Sequence, residues 1–163
     1  MAFINKILYL LLLLLVSLTN SLLLFSQKVT KIEIINANTL EYDELRGDKI
    51  RRLIGNVIFK QDSVYLHCDS AYSYGDKNSL DAFSHVHMVQ GDTLHLYCDT
   101  LKYDGNTKKG ELFSNVRMND RDMTLNTQRM NYDTDKQFAY YFSGGKIIDK
   151  ENEMVLSDAP LRI

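Results

Sequence analysis

A two-part motif returns along this chain with a period of 29 to 31 residues. One half reads Asp62-Ser63-Val64-Tyr65-Leu66-His67-Cys68-Asp69-Ser70-Ala71. It comes back as Asp92-Thr93-Leu94-His95-Leu96-Tyr97-Cys98-Asp99-Thr100-Leu101 and, more weakly, over residues 122–130. The other half, residues 53–59, is matched by residues 82–88 and 112–118. A fixed period of this size means that each unit is one supersecondary element, which buries its apolar face only by stacking on its neighbours.

Inside each half, apolar and polar residues alternate, which is the period of a half-buried strand. Val64, Leu66 and Cys68 share a face, as do Leu94, Leu96 and Cys98, Val57 with Phe59, Val86 with Met88, and Val116 with Met118. Beyond Cys98 the apolar positions change parity to Leu101 and Tyr103, and beyond Leu125 to Met130 and Tyr132. A slip of one residue turns the inward face over. A bulge or corner at Asp69-Ser70, Asp99-Thr100 and Gln128-Arg129 would restore it. Strands bent at one point in every repeat predict an all-β architecture of two stacked walls. Turn-prone joints at residues 75–78, 105–108 and 119–121 separate the strands. The single proline, Pro160, leaves the ladders their donors. The two ends of the stack look unequal: residues 29–35 read as a strand with little to stop further pairing, whereas residues 154–157 are short and followed by Pro160.

Behind one charge, Lys6, residues 7–25 form the apolar run of an export segment. Residues 1–26 are therefore read as a signal peptide or, if uncleaved, an N-terminal anchor, and residues 27–163 as a single β-domain. The full chain has 19 basic and 21 acidic residues. These charges are scattered, and without a basic stripe a nucleic-acid partner is not indicated.

The run Gly91-Asp92-Thr93-Leu94-His95-Leu96-Tyr97-Cys98-Asp99, followed by Leu101, Tyr103, Asp104 and Gly105, resembles the OstA-like proteins related to LptA, and so does Gly55-Asn56-Val57. Cys68-Asp69-Ser70-Ala71 resembles the form this motif takes in relatives from Bacteroidetes. The likeness covers roughly residues 30–158. It implies an elongated two-sheet β-jellyroll (a β-taco) around an apolar interior that carries lipid A acyl chains. It also implies a periplasmic place in lipopolysaccharide transport to the outer membrane, with same-fold bridge proteins at the inner and outer membranes as partners. The chain departs from the pattern at Ser84-His85, which replaces Gly55-Asn56 of the first copy, and at Lys146, where valine is expected.

The inward stripe of Val57, Phe59, Val64, Leu66, Val86, Met88, Leu94, Leu96, Val116, Met118 and Leu125 has two readings. One is a filled core, as in a dry structural or interaction module of the cell envelope; the other is a groove for lipid, which the resemblance favours. Hydrocarbon contacts are non-directional, so neither reading requires a sharp site motif. No cofactor, metal site or catalytic constellation is readable. His67, His85, His87 and His95 lack ligand spacing. The recurrent Asp62, Asp92 and Asp122, and Asp69 with Asp99, read as turn or corner residues bonding nearby backbone. Cys68 and Cys98 lie one repeat apart on the same face. An intervening strand would hold them roughly 9 to 10 Å apart, beyond the ~7 Å Cα limit of a disulfide, so free thiols are expected.

Overall fold

The computed structural model describes residues 4–7, 29–42, 50–142, 144–149, 153–156 and 161–162. Of the expected export segment, only a helical turn at residues 4–7 falls within this range. Pro160 and Asp43 also lie outside the described residues.

The alternating halves fold into six long strands in series: β3 (Ile50–Gln61), β4 (Val64–Tyr74), β5 (Ser79–Gln90), β6 (Leu94–Asp104), β7 (Lys109–Asp120) and β8 (Met123–Asp133). Each pairs antiparallel with the next. Short strands finish the ends: β1 (Glu33–Asn36) and β2 (Thr39–Tyr42) before the long ones, then β9 (Phe138–Tyr141), β10 (Gly145–Asp149), β11 (Glu153–Leu156) and β12 (Leu161–Arg162). Every long strand contributes to two walls. β1 pairs with the second half of β3 and β2 with the first half; likewise β10 pairs with the first half of β8 and β9 with the second. The result is an unclosed, elongated β-jellyroll with its core between the walls.

The corner between the walls carries the register shifts, at the place where parity changes. On β4 and β6 the buried positions step by three, from Cys68 to Ala71 and from Cys98 to Leu101. The additional residue, however, sits on the opposite strands. Ile54 and Val57 of β3 face Ser70 and Cys68 of β4, three steps against two. The residues that make this turn are in left-handed backbone conformation: Gly55 and Asn56, Ser84 and His85, Ser114 and Asn115. L-residues with side chains enter that region at a cost that is least for residues such as Asn and His, and the six positions hold two Asn, two Ser, one His and one Gly. The departure at Ser84-His85 therefore leaves the corner intact. The expected corner at Asp69 and Asp99 is in place, but the bulged residue belongs to the partner strand.

The N-terminal expectation needs correction. Residues 29–32 are not strand. They are held by side chains of the two walls instead, and β1 starts only at Glu33.

Candidate functional site

Cross-strand pairing turns the inward stripe into continuous rows. In the first wall, Ile34, Phe59, Leu66, Met88, Leu96, Met118, Leu125, Ile147 and Met154 stand opposite one another in succession through the stack. Nine strands at ~4.8 Å spacing give a row about 38 Å long. A second row nearer the corner pairs Val57 with Cys68, Val86 with Cys98 and Val116 with Thr127. Of the eleven stripe residues, all but Leu94 are buried, and Leu94 is half-buried at the rim.

All eleven lie in one wall. The facing wall, which the stripe omits, runs Leu53, Ala71, Ala82, Leu101, Leu112, Met130 and Tyr141, each 0 to 1% exposed. Leu80, Tyr103, Tyr132 and Ala139 lie nearer its tips. The parity change after Cys98 was the signal for these residues: carried through, it selects Leu101, Tyr103, Met130 and Tyr132.

The tips of the walls meet. Gln61 ends β3 in the first wall, and Tyr103 is the last but one residue of β6 in the second. These strands are separated in the sheet by β4 and β5, so contacts between them cross the interior. The Tyr103 hydroxyl donates to Gln61 Oε1 at 2.6 Å, and Gln61 Nε2 donates to the Gly105 carbonyl at 2.8 Å. One repeat later, Tyr132 donates to Gln90 Oε1 at 2.8 Å and Gln90 Nε2 to the Thr134 carbonyl at 2.7 Å. Both glutamines are buried, and burying an amide is tolerable only when it is bonded in this way. Burial also pushes the Tyr103 hydroxyl above the usual phenol range and that of Tyr132 up to about 12. On the solvent side Lys108 Nζ reaches Asp62 Oδ2 at 3.0 Å. This lysine and the Thr30 hydroxyl hold the Asp62 carboxyl below its ordinary value. Asp62 is thus more than the turn residue expected, because it ties the two tips together.

The N-terminal segment closes the same seam at its start. The Thr30 carbonyl accepts from Gln61 Nε2 at 2.7 Å and Asn78 Nδ2 at 3.1 Å, and Ile32 N–H donates to Asn78 Oδ1 at 2.9 Å. Ile32 packs on the core beneath. Among the described residues the series stops at the third level. Asp120 occupies the position of Gln61 and Gln90, as its pairing with Met123 shows. A cavity of about 280 Å³ opens there, lined among others by Leu94, Met118, Met123 and Tyr132.

Cys68 and Cys98 are free, buried thiols raised by burial to about 12, and so unreactive at neutral pH. His67, His87, Tyr97 and Arg117 stand opposite one another across the outer face of the first wall. His87 stacks on Tyr97 at 4.3 Å, and Arg117 covers Tyr97 at 4.4 Å. His85 is at the corner, 2.6 Å from Asp69, and Asn115 repeats the arrangement by donating to Asp99 at 2.7 Å. The corner carboxylates therefore bond side chains of the facing bulge rather than backbone. The Asp69 carboxylate raises the His85 pKa above its ordinary value. Its contribution to stability is complete below about 6.5 and is lost as pH rises through the folded-state value. In Asp69→Asn the His85 midpoint should fall back toward about 6.5, as followed by NMR titration of the ring; an unchanged midpoint would contradict the contact.

A search of curated protein sequences found no match to this chain. Among solved structures, LptH from Pseudomonas aeruginosa, described as the LptA-homologous periplasmic component of the lipopolysaccharide transport device, superimposes with a TM-score of 0.57 at 16% identity. The match covers 81% of this chain and 93% of that one, and it establishes the shared fold. A family model described as OstA-like protein matches residues 29–159. With the repeat, the bent strands and the two-walled interior all inside that span, the chain belongs to the OstA-like family.

Proposed function

We propose that this protein is a periplasmic carrier in lipopolysaccharide transport to the outer membrane, holding acyl chains between its two walls. The observation that carries this reading is the uninterrupted apolar row from Ile34 to Met154, which runs the whole length of the stack without a charged residue. Family membership and the fold shared with LptH support it. Each methylene moved from water to such a surface contributes about 0.8 kcal/mol, so several chains are held firmly without any directional contact. The reading is one of passive carriage, with same-fold bridge proteins at the two membranes as partners and the export segment, residues 1–26, delivering the chain to the periplasm.

A second reading has its own observation. The interior side chains are 0 to 6% exposed and the tips are bonded together, as a dry structural module of the envelope requires. Photo-reactive residues at Leu66, Leu96 and Val116 separate the two. A carrier yields lipopolysaccharide adducts from all three, with none from an outward position such as Tyr65. Absence of adducts from every inward position would leave the structural module.

A further inference from the structure

The interior side chains are buried and the tips are bonded at two levels, so a carrier of this construction has to open somewhere. The strands themselves offer no opening. Each long strand is paired on both sides along nearly its whole length, and parting two of them breaks a ladder of backbone bonds. The seam between the tips is different in kind. It is spanned by side chains at two levels, Gln61 with Tyr103 and Gln90 with Tyr132, reinforced outside by Lys108 with Asp62. Beneath the first level the free space is about 10 Å³, around Phe59, Leu66 and Met88, which is at the limit for a single water. At the third level, where Asp120 replaces the glutamine, the free space is about 280 Å³. This space is open to solvent and of mixed lining, with Gln90, Asp120 and Gln137 on it as well as Leu94, Met123 and Met118, the last of which belongs to the apolar row.

We propose that the seam is the line along which a long-chain amphiphile is admitted sideways, beginning at the third level, where no clasp is formed among the described residues, and advancing by release of the Gln90–Tyr132 and then the Gln61–Tyr103 clasp. The polar head stays outside, because the seam is lined by amides, hydroxyls and the Asp62–Lys108 pair. The chain goes inside, because the positions directly behind the clasps, Phe59, Leu66, Leu80 and Met88, are apolar and buried. The glutamines and tyrosines suit this task. Their bonds to one another satisfy groups that are buried when the seam is shut, and water satisfies the same groups when it is open, so the opening strands no polar atom. An all-apolar seam would expose hydrocarbon to water on opening, and a seam of backbone bonds would be too costly to part.

This inference rests on the carrier reading, and the test reads the two separately. Asp62→Cys/Lys108→Cys places a thiol on each tip, to be joined by a short bis-maleimide. The native Cys68 and Cys98 are buried and stay unmodified while the seam is shut. Two rates are then measured on the same samples: uptake of a dansylated long-chain alkylamine, and labelling of Cys98 by a thiol reagent. Cross-linking should slow both by at least about tenfold, while Tyr103→Phe/Tyr132→Phe, which removes the hydroxyl bond across the seam at each level, should speed both by about tenfold. An unchanged far-UV circular dichroism spectrum at an assay temperature well below the melting transitions of both proteins excludes general unfolding as the cause of faster labelling. If cross-linking slows labelling but leaves uptake unchanged, the amphiphile goes in through the ends of the stack and the proposal is overturned. If neither rate changes, the seam does not open and the proposal is equally overturned. If no form takes up the probe while Cys98 labelling still follows the seam, the carrier reading itself fails.

Discussion

Leu96→Asp is expected to remove about 4 kcal/mol or more of folding stability. Leu96 is 1% exposed and stands between Met88 and Met118 in the middle of the long apolar row. Removing a buried leucine side chain alone costs about 2 to 5 kcal/mol. The carboxylate adds its own desolvation, and among the described residues no cation faces this stretch of the interior to offset it. Leu96→Met, which keeps the volume and the apolar character, should cost less than about 1.5 kcal/mol. Urea unfolding of both variants measures the difference. A native-like Leu96→Asp protein would mean that β6 has its opposite face inward, and the whole interior would have to be reassigned by one residue.

That reassignment is the step where sequence and structure had most to say to each other. The first wall was legible because its inward positions are bulky and strictly alternate, as in Val64, Leu66 and Cys68 or Val86 and Met88. The second wall was harder to read. Its inward residues include Ala71, Ala82, Gly110 and Ala139, which weaken the apolar contrast, and they follow the corner, where parity changes. The corner itself was visible on β4 and β6, whose inward interval is three. On β3, β5 and β7 the interval is four, as from Leu53 to Val57, so parity survives the bend and conceals it. The two left-handed residues that make the bend possible cancel in the pattern. The clasps were not legible at all. Gln61 and Tyr103 are 42 residues apart, a separation unrelated to the repeat period, and only the folding of one wall over the other brings them together. The same holds for Thr30 and Asp62, which the alternation placed on a strand and in a turn.

Head-to-tail association through β2 is the second large effect expected. A stack of β-repeats ends in strands with unsatisfied donors and acceptors on their outer side, and such edges recruit further strands unless something blunts them. At the N-terminal end the two walls differ. β1 is irregular: its register shifts between Ile34 and Asn36, leaving Ile35 as a bulge that is 51% exposed. Bulged edges pair poorly. β2, by contrast, pairs one to one with β3 from Thr39 opposite Ile54 to Tyr42 opposite Arg51, and all four of its residues are exposed. Among the described strands none covers its other side. The adhesive edge is therefore Thr39–Tyr42, not the segment before it. A second copy, or a same-fold partner in the cell, can add its C-terminal edge there. Successive residues of a strand direct their backbone N–H to opposite sides. Of Leu40→Pro and Glu41→Pro, one therefore removes an outward donor and the other a donor to β3. Sedimentation equilibrium should show self-association of the wild type, weakened by about tenfold or more in the outward variant with stability kept, while the inward variant loses stability as well. A wild type that stays monomeric at every concentration, or association that neither proline disturbs, would place the contact elsewhere than this edge.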